Sequence, residues 1–286
     1  DDRHPRFAAH PLDQALAAAR HDDVDKLRMR QHLAYGGPIG GGDHLDGGGG
    51  QSSGFQTGLH AGGHRLIGVM REAAPKAIVV HASTRQFYGR PRSLPVDELH
   101  PVNPPDANGV SKWAGEQYWL LENRVLHRPV VSLRLTNCYG PRLRIRDARQ
   151  TFLGIWIRRV LENEPFEVWG GAQLRDLTYA DDVTSAFLMA AEQAASPAVA
   201  GQVFNIGGSP PVSLLDLAGK LIAANGGQGS FETREFPADR APIDIGSYAA
   251  DDRAFRNATG WAPAIDLDKG LKLSLDWYRQ RLADYL

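Results

Sequence analysis

Residues 77–89 read Ala-Ile-Val-Val-His-Ala-Ser-Thr-Arg-Gln-Phe-Tyr-Gly, and this stretch decides the fold. Ala77 to Ala82 is a short β-branched run, the pattern of a buried strand in a parallel sheet. Ser83 to Gly89 then turns polar and ends on glycine. In open α/β sheets ligands bind beyond the carboxyl ends of strands, so hydroxyls at Ser83 and Thr84 face a pocket. Taken alone, the same residues also suit a turn in which Ser and Thr bond the local backbone.

The flanking text keeps the same alternation. Leu12–Arg20 and Arg65–Ala74 read as short helices, Val110–His127 as a longer one, and Pro129–Leu135 as a second β-rich run. Helical periodicity returns at Thr151–Glu162, Ala180–Gln193, Leu214–Ala224 and Asp268–Leu282, with short strands at Phe166–Trp169 and Val203–Ile206. Strands alternating with helices under Gly/Pro punctuation predict an α/β, Rossmann-type doubly wound parallel sheet. There is no internal repeat.

Composition narrows the functional classes. The chain has 286 residues, 42% hydrophobic and 23% charged, which supports a sizeable core and excludes wholesale disorder. Lys+Arg 32 against Asp+Glu 33 leaves a net charge of -1, which argues against a broad nucleic-acid binder. A single cysteine makes neither an internal disulfide nor a Cys-rich metal site, so no metal is expected and the expected setting is the reducing cytoplasm. The apolar runs fall short of a membrane span, and nothing resembles a signal peptide.

Glycine is concentrated between Gly36 and Gly63, which holds 13 of the 31. The window contains neither G-x-G-x-x-G nor G-x-x-G-x-x-G, and no β-rich run precedes it, so it reads as a flexible loop rather than a phosphate cradle. Gly50-Gln51-Ser52-Ser53-Gly54 matches a nucleophile elbow, but polyglycine stands where an elbow needs a strand.

Two further clusters carry chemistry. Asn108-Gly109-Val110-Ser111-Lys112 opens the long helix, from which Lys112 can reach a ligand at the neighbouring strand end. Leu133-Arg134-Leu135-Thr136-Asn137-Cys138-Tyr139-Gly140-Pro141-Arg142 is again a strand entering a polar loop, with Cys138 read as a packed thiol.

With V-V-H-A-S-T-R-Q-F-Y-G (79–89), these segments resemble the extended short-chain dehydrogenase/reductase family, in its NAD-dependent nucleotide-sugar epimerase/dehydratase branch with UDP-glucose 4-epimerase-like members. L-P-V-D-E (94–98), S-K-W-A-G-E-Q (111–117), R-D-L-T-Y-A-D-D (175–182), F-N-I-G-G (204–208) and G-W-A-P (260–263) follow in the family's order and spacing. The resemblance implies NAD as cofactor and a nucleotide diphosphate sugar as substrate. It divides the chain into a cofactor domain over 1–142 and a substrate lobe over 143–286, with 201–207 returning to the main sheet. Asp1-Asp2-Arg3-His4-Pro5 and His32-Leu33-Ala34 resemble later parts of the family's opening, so Asp1, Ala34 and Lys112 are the implied cofactor contacts. On that alignment roughly the first sixty family residues, with the glycine-rich turn, are expected to be missing from the chain as written, and dinucleotide binding is expected to be crippled.

The family's catalytic pattern is Tyr-x-x-x-Lys. Lys112 matches, but Asn108 stands at the tyrosine position, and an amide has no proton to exchange near neutral pH. Thr84 matches the family's Ser/Thr, which bonds the sugar hydroxyl being oxidised. Proton transfer is left to Thr84, to a water held by Asn108 and Lys112, or to Tyr88. On the substrate side the resemblance assigns Asn137 to the diphosphate or ribose, Arg175 and Arg240 to the phosphates, and Trp169 to the base, with Asp176 expected to orient Arg175. Dehydratases of the family carry Asp-Glu after the catalytic Thr. Arg85-Gln86 occupies those places, so a 4-epimerase is the first reading. A keto-sugar reductase and a non-catalytic sugar-nucleotide-binding protein are the rivals. A homodimer is expected through the helix Val110–His127 and the Arg65–Ala74 region; Trp113, Tyr118, Trp119, Leu120 and Leu121 give the first helix more apolar surface than one core-facing stripe needs.

Overall fold

The computed structural model describes residues 65–147, 151–208, 210–238 and 240–286. The expected helix at 12–20, the glycine-rich segment with its Gly50–Gly54 motif, and the proposed cofactor contacts Asp1 and Ala34 lie outside them. Met70–Leu286 form one compact unit. After a helical stretch over residues 65–73, the strands in chain order are β1 (Val79–Thr84), β2 (Val130–Leu135), β3 (Asn137–Tyr139), β4 (Phe166–Trp169), β5 (Leu174–Arg175), β6 (Leu177–Tyr179), β7 (Val203–Ile206), β8 (Val212–Ser213) and β9 (Phe231–Arg234). The helices are α1 (Ala107–Leu126), α2 (Phe152–Leu161), α3 (Ala180–Glu192), α4 (Leu214–Ala224), α5 (Arg253–Thr259) and α6 (Leu267–Arg279).

The two β-branched runs pair as a parallel ladder, from Val79 opposite Val130 to Thr84 opposite Leu135. On the other side of β2 lies β7, also parallel, giving the order β1-β2-β7. Central β2 is buried from Val130 through Arg134, as a strand covered on both faces must be. Val131, Leu133, Phe204 and Ile206 pack with Ala186 and Ala190 of α3, Phe255 of α5, and Trp261. A second core joins Trp156 and Val160 of α2, Phe166 and Val168 of β4, Leu217 and Leu221 of α4, and Leu271, Leu275 and Tyr278 of α6. Three two-stranded pairings, β3-β6, β4-β9 and β5-β8, complete the architecture. The short strands β3, β5, β6, β8 and β9 and helix α5 carry no periodicity of their own in the sequence, because two to seven residues are too few to express one.

Strand β1 runs two residues further than its apolar text, so Ser83 and Thr84 still belong to the ladder. A 3-10 turn, Arg85–Tyr88, follows, capped by the Thr84 hydroxyl, which accepts from Gln86 N at 3.1 Å. Gly89 closes it at φ +69, where a side chain would strike the Asn103 carbonyl. Helix α1 starts at an Asp106 cap, whose carboxylate accepts from Gly109 N at 2.6 Å. It ends at His127 in the left-handed conformation, whose N–H reaches back to Asn123 O and Glu122 O. Its apolar residues divide between two faces. Trp119 is buried, while Val110, Trp113, Leu121 and Val125 are exposed.

Beneath the sheet runs a buried polar chain. Glu116 of α1, fully buried, accepts from Arg134 Nη2 at 2.7 Å, Arg134 Nε at 3.1 Å and Ser132 Oγ at 3.1 Å. Arg134 Nη1 donates to the Tyr88 hydroxyl at 2.6 Å, which donates to Asn205 Oδ1 at 2.9 Å. One ion pair therefore joins α1, β2, β7 and the turn after β1. Leaving a buried guanidinium without its carboxylate costs about 3–5 kcal/mol, whereas an apolar pair of similar volume is often neutral. Glu116→Ala should lower unfolding free energy by about that amount in urea titrations, and Glu116→Leu with Arg134→Met should recover most of it. Equal losses in single and double variants would show that packing volume, not charge pairing, sets the cost.

Candidate functional site

Thr84 and Lys112 are brought to the same end of the sheet by two local devices. The first is the parallel ladder, which ends β1 at Thr84. The second is the tie between the turn and α1: Gln86 Nε2 donates to the capping Asp106 at 3.3 Å. Gly109 lets the first turn of α1 sit close to Phe87, whose Cα lies 3.6 Å from the position a Cβ would take. Asn108 and Lys112 are four residues apart and so share a helix face, with Asn108 exposed and Lys112 half-buried. Lys112 makes no ion pair among the described residues. Below it, His81 Nδ1 meets Ser132 Oγ at 3.1 Å. The Ser132 hydrogen is directed to Glu116, so His81 is the donor in that contact.

Tyr88 is not available as a swinging acid. It is fully buried, bonded on both sides, and pushed up to about 12, chiefly by burial. Cys138, read from the sequence as packed, is exposed. It is the middle residue of β3 and points away from the face on which buried Tyr139 lies.

After Thr84 the structure brings two cations, Arg85 and Arg175, into buried positions. Arg85 Nη2 donates to Asn137 Oδ1 at 2.7 Å, and its guanidinium lies 4.8 Å from the centre of the Tyr248 ring. Arg175, also buried, donates through Nη1 to Leu174 O at 2.9 Å and Gly246 O at 2.6 Å, with Asp244 3.6 Å from Nη2. Burial pulls Arg85 down to about 10, with Arg175 adding to the effect. Asp176 does not orient Arg175 as expected. It lies in the break between β5 and β6, and its carboxylate accepts instead from Ala250 N at 2.9 Å and Gly208 N at 3.2 Å. Trp169 and Arg240 do meet, the guanidinium 4.7 Å from the ring centre.

The residues that reading the sequence passed over are Asp244, Tyr248 and, as a binding group, Arg85. Arg85 had one available signal, its place directly after Thr84. Asp244 and Tyr248 had none, because they reach the site from a distant loop.

Comparisons with known proteins give the family and the fold. The profile of the NAD dependent epimerase/dehydratase family matches residues 55–207. A putative UDP-glucose 4-epimerase of Methanocaldococcus jannaschii is 32% identical over 218 residues, 75% of this chain and 67% of that protein. A dTDP-D-glucose 4,6-dehydratase of Bos taurus is 27% identical over 232 residues, 78% of this chain and 61% of that protein. The crystal structure of a UDP-glucuronic acid 4-epimerase from Bacillus cereus in complex with NAD superposes with a TM-score of 0.70 at 26% identity, covering 85% of this chain and 73% of that one.

The His81 contact has a pH signature. Burial pulls its imidazole from 6.5 to about 4, opposed by Glu116 and assisted by Lys112. Between those values the unfolded chain binds a proton that the folded chain does not. The stability tied to neutral His81 is therefore complete above pH 6.5 and falls by about 3 kcal/mol as pH drops towards 4. Asp176, pushed up to about 6 by burial, acts in the opposite sense over the lower part of that window and masks the trend in the native protein. Comparing His81→Gln with the native protein from pH 7.5 to 4.5 isolates the histidine. The difference in unfolding free energy should move by about 2–3 kcal/mol in the variant's favour as pH falls, and parallel curves would show an ordinary histidine.

Proposed function

The chain belongs to the NAD-dependent epimerase/dehydratase family, and we propose that it is a 4-epimerase acting on a nucleotide diphosphate sugar by transient oxidation at C4 and hydride return. The observation that carries this reading is the tie between Gln86 and the capping Asp106, which joins the turn after Thr84 to the start of α1 that carries Asn108 and Lys112, together with the buried Arg85 and Arg175. In this reading residues 1–142 hold the cofactor and 143–286 the substrate, with 201–207 in the main sheet. The setting is cytoplasmic. Among the described residues no helix is long and apolar enough to cross a membrane.

The residues present fit the nicotinamide end of NAD. Lys112 is half-buried with an uncommitted ammonium, suited to ribose hydroxyls, and Thr84 keeps its own hydrogen to donate, because its oxygen is the acceptor from Gln86 N. When bound, NAD supplies the acceptor and donor of hydride. Thr84 would hold the sugar hydroxyl at C4, and Lys112 with Asn108 would hold a water that carries the proton. Asn137, Arg175 and Arg240 would hold the diphosphate side. A base stacking on Trp169 would take the ring face that Arg240 does not cover, or displace it. Epimerisation is favoured over dehydration because neither residue after Thr84 is an acid. Arg85 is bonded to Asn137 and Gln86 to Asp106.

The amide at Asn108 supports a second reading, a sugar-nucleotide-binding protein without turnover. One substitution separates the two. General acid–base catalysis contributes typically 10²–10⁴-fold, so Asn108→Tyr should raise epimerisation of UDP-glucose by roughly two to three orders of magnitude. Protein-bound NAD should be visible by absorbance, and labelled hydride should return to the sugar. Nucleotide-sugar binding without turnover in both proteins would establish the second reading.

We further propose a homodimer across α1, whose exposed Val110, Trp113, Leu121 and Val125 form an apolar row, Val125 being 60% exposed. Light scattering should give twice the chain mass at micromolar concentration, and Trp113→Glu should shift it to the monomer. A monomer at every concentration would reject the pairing.

A further inference from the structure

Arg85 is the most unusual cation in the described residues. It is 9% exposed, and its Nη1 is buried with no hydrogen-bond partner among the described residues. Its side-chain hydrogen bond goes to a neutral amide, Asn137, at 2.7 Å, and among the described residues no carboxylate lies within 4.0 Å of it. The nearby charges are shared. Arg175 is a second buried cation, loosely paired with Asp244 at 3.6 Å, and the Asp176 carboxylate, which also acts on Arg85 through space, is hydrogen-bonded to the amides of Gly208 and Ala250. The Tyr248 hydroxyl, on the ring under Arg85, is buried with no hydrogen-bond partner among the described residues. Two enclosed guanidiniums thus face two carboxylates, neither of them hydrogen-bonded to Arg85. An uncompensated buried charge is strongly unfavourable, and a forked guanidinium with free donors matches the oxygens of a carboxylate or phosphate.

We propose that Arg85 and Arg175 form an oxyanion site, in which Arg85 Nη1 donates to an anionic oxygen of the substrate. The inference rests on the nucleotide-sugar reading above and adds a contact to it. Two sources share this chemistry: the diphosphate bridge, and a carboxylate carried by the sugar. Arg85 directly follows Thr84, which holds it at the sugar end of the site, while Arg175 lies on the diphosphate side. The site therefore selects substrates by charge, and it explains why a basic residue stands where a dehydration acid would otherwise be placed.

Calorimetric titration of UDP, UDP-glucose and UDP-glucuronate into the native protein, Arg85→Gln and Arg85→Lys tests this, alongside melts without ligand. Arg85→Gln should weaken one or more of the three by roughly 10- to 100-fold, the range of a hydrogen bond to a charged group. Equal weakening of all three would identify the diphosphate as the anion; weakening of UDP-glucuronate alone would identify the sugar carboxylate. Arg85→Lys should fall between native and Gln, because it keeps the charge and loses the fork. Melting temperature without ligand should hold or rise in Arg85→Gln, since an unpaired buried charge has gone. If that variant does not fold, Arg85→Lys carries the same comparison. Native affinity for all three in the variants would overturn the proposal and leave the nucleotide-sugar reading standing. A native protein that binds none of the three would overturn both.

Discussion

The buried pair between Arg134 and Glu116 is the interaction on which the rest of this structure depends. Helix α1 covers the sheet, and its Glu116 meets Arg134 from the central strand at 2.7 Å. The same guanidinium fixes Tyr88 in the turn after β1, and Tyr88 in turn meets Asn205 of β7. Because both charged groups are enclosed, each would be strongly unfavourable without the other. Helix, strands and turn therefore lock in one relative arrangement. The register that places Thr84 beside the first turns of α1 follows from that arrangement, assisted at the surface by Gln86 and Asp106.

A second constraint is the one-residue break between β5 and β6, where Asp176 stands. Asp176 ties down backbone amides at Gly208 and Ala250, while Arg175 turns to Asp244 and two carbonyls. Opposite charges that are adjacent in the sequence thus take different partners. On this side of the site Arg85 and Arg175 are enclosed, and among the described residues no carboxylate is hydrogen-bonded to Arg85. Such a region is unfavourable empty and well matched to an anion.

In the proposed reading the first turns of α1 keep the lysine of the family pattern and carry an amide at the tyrosine position. Helical spacing aligns Asn108 and Lys112 on one face, as it would a tyrosine and a lysine. An amide there can orient a water or a hydroxyl but cannot itself carry a proton near neutral pH. Tyr88 cannot take over, since it is committed to the buried chain under the sheet. In the proposed reading, Thr84 and a water held by Asn108 and Lys112 would carry the proton.

Much was legible in the residues themselves. β2 and β7, helices α2, α3 and α4, and the placing of Thr84 at a strand end all follow from periodicity, because hydrophobic repeats over four or more residues report the face each segment buries. That an amide, Asn108, stands four residues before Lys112 is likewise a fact of the sequence. Tertiary structure alone decided which polar residues meet. Arg85 reaches Asn137 52 residues away, and Arg175 reaches Gly246 71 residues away. It also decided that Tyr88 is locked, that Cys138 is exposed, and that Asp176 turns away from Arg175. The physical reason is that periodicity encodes burial, which is a property of one segment. Hydrogen bonds and ion pairs join two segments, and their partners are chosen by the packing that brings distant strands and loops together.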